Sequence, residues 1–406
     1  MKPHILINMH YLEIGGAETA LIGLLNALDP ERVDVDFFLH DHRGEMMQFI
    51  PKWVNVLPAV PEYTVLERPI KELVKRGFWR IAAARLWAKR VSRKAYRKSG
   101  SELPNASVFH YMAKYTTPLL PRINPNVTYD LAISFLTPHQ ITLQKIQARK
   151  RIAWIHTDYT KIWVDVDDEL PVWSKYDYIA SISPDVTRTF LQTFPSFAHT
   201  NKIVEIENIL SPAFVRRRAD IKNVEREMSK YGGEVKLLSV GRFSEAKNYD
   251  NVPDICRRMV KEGVDVKWFI IGYGDEQLIR RKIKEAGMQE HVIILGKRSN
   301  PYPYIKACDI YVQPSRYEGK SVTVREAQML CKPVVVTNYP TASSQIKNGV
   351  DGGIVPMDNE GCAKGLVKVI MDKALQMRLT DYLKTHDYGN EHEVDKIYQI
   401  AEEAQR

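Results

Sequence analysis

The chain lacks any apolar run approaching the roughly 18–20 residues that a membrane-spanning helix needs. Its opening, from Met1 to Glu18, has only a short apolar stretch and no small-residue cleavage site, so it reads as a strand entering a loop and not as a signal peptide. Cysteine is scarce. Cys256, Cys308, Cys331 and Cys362 show neither CxxC nor metal-ligand spacing, the pattern of thiols packed as small hydrophobes in a reducing cytoplasm. Paired acids or histidines at metal-ligand spacing are also missing, so no metal and no cofactor are expected. Low-complexity tracts and repeats are absent, which predicts a globular chain throughout.

What is present is enough for two cores. The chain has 406 residues, 44% of them hydrophobic, and fits two domains of about 150–200 residues each. Short apolar runs bounded by turn residues alternate with helical patterns. The runs fall at His4–Met9, Val35–His40, Asp130–Phe135, Arg151–His156, Tyr178–Ile182 and Ile203–Glu207, then at Lys236–Val240, Lys267–Ile271, His291–Leu295, Ile310–Gln313, Pro333–Val336 and Gly353–Val355. Such alternation predicts parallel sheets covered on both faces, here two doubly wound, Rossmann-like α/β domains facing each other across a cleft. The expected domains are 1–205, carrying a basic helical insertion near 60–125, and 206–380. Residues 381–406 are expected to form helices packing back toward the first domain. The charged stretch from Asn208 to Gly233 is the linker candidate.

Three motifs follow predicted strands. Ile14-Gly15-Gly16-Ala17-Glu18 leads into a helix, where glycine lets the backbone approach a ligand at the positive end of the helix dipole; an ordinary tight turn reads the same way. Gly241-Arg242-Phe243-Ser244-Glu245-Ala246-Lys247 leaves the first strand of the second half. Arg242 and Lys247 could there reach a diphosphate, or be two solvated loop cations. Glu318-Gly319-Lys320-Ser321 follows a Pro314-Ser315 turn. Ser321 would cap a helix that holds Glu326, whose carboxylate could accept from a vicinal diol as ribose-binding acids do.

Glu318 and Glu326 in this setting resemble the Glu-x7-Glu motif of the retaining glycosyltransferases of family four (glycosyltransferase group 1), which have the GT-B fold. Ala327, Lys332-Pro333-Val334-Val335-Val336, Gly349, the Gly272-x-Gly274 turn, Leu295-Gly296 and the N-terminal Gly15-Gly16-Ala17-Glu18 loop match in order as well. The resemblance implies a hexosyl transfer from a nucleotide sugar, UDP-linked, to a lipid-linked or polysaccharide acceptor in envelope glycan synthesis. It implies catalytic roles for Glu318, His156, Arg242 and Lys247, and donor binding by Glu326, Gly16, Gly241, Gly319, Lys320, Ser321 and Gly296. His156 matches the family histidine that lines the donor sugar; a structural role is the plainer reading of a lone histidine. Lys320 stands where the family has an aromatic residue, and either meets phosphate or an acidic acceptor, or points to solvent. A sugar-phosphate synthase on the same fold, or a silent partner of a glycosyltransferase complex, are the alternatives.

Charge is uneven along the chain. Lys71 to Lys98 holds eleven Lys or Arg against Glu72 alone. Ile70, Leu73, Val74, Phe78, Ile81 and Ala84 recur there at helical spacing, with Trp79 and Trp87 beside them. This predicts either a basic amphipathic contact to an anionic membrane, making a cytoplasmic protein peripheral on the inner face of the cell membrane, or a surface helix packed on the first domain. No recognised nucleic-acid module surrounds the segment, so no nucleic-acid partner is expected.

Overall fold

A computed structural model of the chain describes residues 2–232, 234–318 and 321–406. Among these residues thirteen strands, all paired in parallel, form two sheets. β1 (His4–Met9), β2 (Asp34–Leu39), β3 (Asn55–Val56), β4 (Tyr129–Ser134), β5 (Ala148–Ile155), β6 (Tyr178–Ser181) and β7 (Ile203–Glu205) make a sheet of order β3-β2-β1-β4-β5-β6-β7. β8 (Val235–Val240), β9 (Val266–Ile271), β10 (Val292–Gly296), β11 (Ile310–Gln313), β12 (Val334–Thr337) and β13 (Gly353–Val355) make the other, of order β10-β9-β8-β11-β12-β13. Both are doubly wound α/β sheets in the Rossmann order. The order reverses between β1 and β4 in one sheet and between β8 and β11 in the other, and such sheets take ligands beyond the strand carboxyl ends at that reversal.

Burial on both faces explains why the strands read as unbroken apolar runs. Every residue of β9, including Lys267, is buried, and the Lys267 ammonium is satisfied by the Glu290 carbonyl at 2.6 Å. The exception is β3, whose two residues, Asn55 and Val56, carry no hydropathy signal.

The sheets belong to two compact units. One runs to Ile209 and takes back Asn390–Arg406; the other is Leu210–Gly389. Helix Lys373–Thr385 stays in the second unit, with Leu379 and Leu383 buried. Helix Val394–Glu403 lies on the first, where the Tyr398 hydroxyl accepts from the Asp29 amide (2.7 Å) and Tyr178 donates to Glu403 (2.8 Å). The boundary between the units, Ile209/Leu210, falls inside the linker candidate, and the charged stretch after it folds as helices Pro212–Ala219 and Glu225–Ser229, with Phe214, Val215, Ala219 and Met228 buried.

The basic insertion forms helices Ile70–Lys75 and Trp79–Ser99, separated at Gly77, whose φ of +83° suits glycine. Leu73, Ile81 and Ala82 share a core cluster with Leu6, Phe38 and Tyr129, and Ile70 and Phe78 pack on it. Most of the apolar stripe seen in the sequence therefore faces inward. Arg85 is buried too, donating to the carbonyls of Val65 (3.0 Å) and Arg68 (2.6 Å). Val74 of that stripe points outward with Trp79, Leu86 and Trp87, each more than half exposed, beside exposed Arg80 and Arg90. Among the described residues no helix is long and apolar enough to cross a membrane.

Candidate active site

In the second unit β8 and β11 end side by side, and the loops that follow are tied together. Asn248, at φ +60°, donates to the Pro314 carbonyl (2.9 Å), and Arg316 grips Asp250 with two bonds of 3.0 and 2.8 Å. This framework brings Lys247 and Glu318 into contact, Nζ to Oε1 at 2.6 Å, both half-buried. Glu318 Oε1 also accepts from Ser315 Oγ (2.6 Å) and Gln313 Nε2 (3.0 Å). Among the described residues no donor reaches Oε2. Three donors on one oxygen fix the carboxylate's orientation and leave the other oxygen for a ligand. Arg242, next to the strand end, is exposed and makes no hydrogen bond or ion pair among the described residues.

Glycines form the floor. A Cβ on Gly241 would lie 2.9 Å from both the Lys247 side chain and the Tyr249 hydroxyl. One on Gly272 would lie 2.0 Å from the Gly241 carbonyl oxygen. Gly296, at φ +73°, ends β10. Only glycine permits these strand ends to close up.

Glu326 lies inside helix Val322–Met329 and is buried. Burial raises its carboxyl to about 7, against the opposing pull of the Tyr302 hydroxyl and the Arg218 charge. Tyr302 donates to Glu326 Oε1 at 2.6 Å. Arg218 lies buried over the Tyr302 ring at 5.0 Å and donates to the Ser299 carbonyl at 2.7 Å. Sequence reasoning found the glutamate and missed both neighbours. Ser321 holds the N-cap position, but its hydroxyl makes no capping bond, contrary to expectation. The Gln345 side chain instead brackets its peptide, accepting from Ser321 N–H (2.9 Å) and donating to its carbonyl (2.6 Å). Gly319 and Lys320, both expected at the donor, lie outside the described residues.

The first unit holds the other two predicted residues. Gly16 opens helix Gly16–Ala27, exposed, with nothing within 4 Å of where a Cβ would sit. His156 follows β5. Burial lowers its ring to about 4. The ring is therefore neutral, and its buried Nε2 has no partner. It lines a cavity of about 200 Å³ whose other polar residues include His139, Gln140, Trp154 and Glu169, which no motif in the sequence singled out.

These arrangements define a class. Residues 220–386 match the family model of the glycosyl transferases group 1, which this segment resembles. A Campylobacter jejuni protein, N-acetylgalactosamine-N,N'-diacetylbacillosaminyl-diphospho-undecaprenol 4-alpha-N-acetylgalactosaminyltransferase, is 30% identical over 154 residues, 37% of this chain and 41% of that protein. The chain thus matches less than half the length of this curated relative. Two solved structures align along the whole chain at 15% identity: a glycosyltransferase from Rickettsia africae (TM-score 0.64, 100% of this chain and 99% of that one) and Anabaena HepE in complex with UDP (TM-score 0.60, 100% of both). At that identity the likeness shows the fold, which is GT-B.

Proposed function

We propose that the chain is a retaining, metal-independent glycosyltransferase that moves a hexosyl unit from a UDP-linked sugar to a lipid-linked or polysaccharide acceptor in envelope glycan synthesis. One observation carries this reading: the Lys247–Glu318 pair and the buried Glu326 stand at the strand-order reversal of the second sheet. There Glu326 accepts from the ribose hydroxyls, and Arg242 and Lys247 meet the diphosphate. Preorganised cations stabilise charge as it develops on the leaving nucleotide, so a divalent metal is not needed. Glu318 takes hydroxyls of the transferred sugar through Oε2. His156 offers Nε2 to a sugar hydroxyl, and Gly16 leaves room for donor phosphate or acceptor. The leaving phosphate assists attack on its own face, so no general base is assigned. UDP in the Anabaena structure and the diphospho-undecaprenol in the Campylobacter relative's name support the donor and acceptor classes.

The protein is placed in the cytoplasm, peripheral on the inner membrane face. Outward Val74, Trp79, Leu86 and Trp87 with neighbouring arginines complement an anionic bilayer, apolar groups entering the headgroup layer and cations meeting phosphate.

Calorimetry with UDP, followed by transfer assays on a panel of UDP-sugars in excess chelator, tests the enzymatic reading. Wild type binds UDP and transfers sugar without metal. Glu326→Ala loses roughly 10- to 150-fold in UDP affinity, the worth of one charged hydrogen bond. If the variant binds UDP like wild type and still transfers, the proposed site is not the donor site.

A further inference from the structure

The cavity in the first unit is lined with polar atoms that have lost water and gained no partner. Trp154 Nε1, His139 Nε2, Gln140 Oε1 and His156 Nε2 are all buried without a hydrogen bond. Trp154, His139 and Gln140 are each at most 3% exposed. Leaving one such group unsatisfied costs about 1–3 kcal/mol, so four on residues that line one cavity mark a place built for a ligand.

The surrounding bonds fix what each atom offers. Gln140 Nε2 donates to His110 Nδ1 (2.8 Å) and to the His110 carbonyl (3.3 Å), which turns Oε1 away as an acceptor only. His110 in turn gives its Nε2 proton to Asp168 at 2.7 Å. Trp154 can only donate. The neutral His156 ring can accept through its unpartnered Nε2. The ligand must therefore present an acceptor to the indole and a donor to the amide or imidazole. No Lys or Arg lines the space, which disfavours phosphate, while Phe109, Leu136, Ile162, Val172 and Trp173 supply apolar wall.

We infer that this cavity binds the acetamido group of an N-acetylated sugar. The carbonyl accepts from Trp154 Nε1, the amide N–H donates to Gln140 Oε1 or His156 Nε2, and the methyl packs on the aromatic wall. A plain hydroxyl could satisfy the polar atoms but would set its oxygen against the apolar surface. The inference rests on the glycosyltransferase reading only for the source of the sugar, which is either donor or acceptor.

The test follows the Trp154 indole ¹⁵N–¹H signal, assigned by its disappearance in Trp154→Phe. Methyl N-acetylglucosaminide should move it at millimolar concentration, while methyl glucoside and methyl glucosaminide should not. Trp154→Phe should weaken the acetamido glycoside about tenfold, as measured by saturation-transfer titration. A shift with UDP-N-acetylglucosamine but none with UDP assigns the group to the donor; a shift with the free glycoside alone assigns it to the acceptor. Equal response to methyl glucoside, a shift with UDP itself, or no response to any sugar would overturn the inference. UDP calorimetry on the same sample keeps that failure distinct from a failure of the glycosyltransferase reading.

Discussion

The two sheets share a strand order, yet the carboxyl end of each is dressed differently. In the second unit it is charged and internally matched: Lys247 holds Glu318, Arg316 holds Asp250, and Tyr302 and Arg218 attend Glu326. In the first unit it is largely uncharged and partly unmatched: histidine, glutamine and tryptophan atoms lack partners on residues lining a cavity, beside Glu169, whose carboxyl burial raises to about 7. The fold supplies the position in both cases and the side chains decide the ligand. A matched charge network holds its shape while empty and can exchange a partner for an anion. Unmatched neutral groups ask for a ligand with amide or hydroxyl character. On this contrast the second unit offers groups suited to phosphate and sugar hydroxyls, and the first offers groups suited to a largely uncharged polar ligand.

The contrast breaks most visibly at Glu318. Glu318→Ala should lower turnover on the order of 10²–10³-fold, the scale seen when one preorganised polar group is removed from a reacting centre. Affinity for UDP, which carries no sugar, should stay within about twofold. Initial rates and calorimetry on one preparation separate the two. If turnover survives, the charged end of the second unit binds nucleotide without touching the transferred sugar.

The next effect in size sharpens the contrast. Arg242→Ala and Lys247→Ala should each weaken UDP binding by roughly 10- to 100-fold, since each removes a charge-assisted contact to phosphate. Trp154→Phe, made in the neutral cavity, should leave UDP binding within about twofold. Equal losses at both places would erase the division of labour. A third comparison lies within the basic insertion. Changing outward Trp79 and Trp87 together to Ser should weaken sedimentation with anionic vesicles on the order of tenfold. Arg85→Lys, on the buried side, should lower the melting temperature and spare vesicle binding. Unchanged sedimentation of the Trp variant would make the segment ordinary packed surface.

How far these features were legible depends on how much of each signal is local. Buried parallel strands such as β9 announce themselves as continuous apolar runs, whereas the two residues of β3 hold their place through the pairing of Asp36 with Asn55 and of Phe37 with Val56. Glu318 and Glu326 were readable because one loop and one helix carry both. Their partners were not. Tyr302 comes from another helix, and Arg218 sits in a run of three arginines of which Arg216 and Arg217 are exposed. The insertion was read as helical for the right reason, but its inward and outward faces could not be told apart, since Leu73 and Ile81 are no more apolar than Leu86 and Trp87. The cavity gave no signal in the sequence: a Trp, a Gln and two His become informative only once their bonds can be counted.

The smallest expected effect concerns protons at Glu326. Its carboxyl titrates in the folded protein at about 7, above the ordinary 4.5, with burial as the main cause. The folded state therefore keeps a proton that the unfolded chain gives up earlier. The stability from this group is fully present below about pH 4.5 and is lost as pH rises toward 7. Wild type should accordingly melt progressively lower than Glu326→Gln as pH goes from 5 to 8. A ribose donating its hydroxyls favours the ionised form, so UDP affinity should rise over the same interval, by about tenfold at most between pH 6 and 8. The terminal phosphate of UDP also ionises near pH 6, and Glu326→Gln retains that contribution while removing the carboxylate. The difference between the two titrations belongs to Glu326. Should the two curves run parallel, the ribose does not meet this carboxylate, and Glu326 serves only the buried contact with Tyr302.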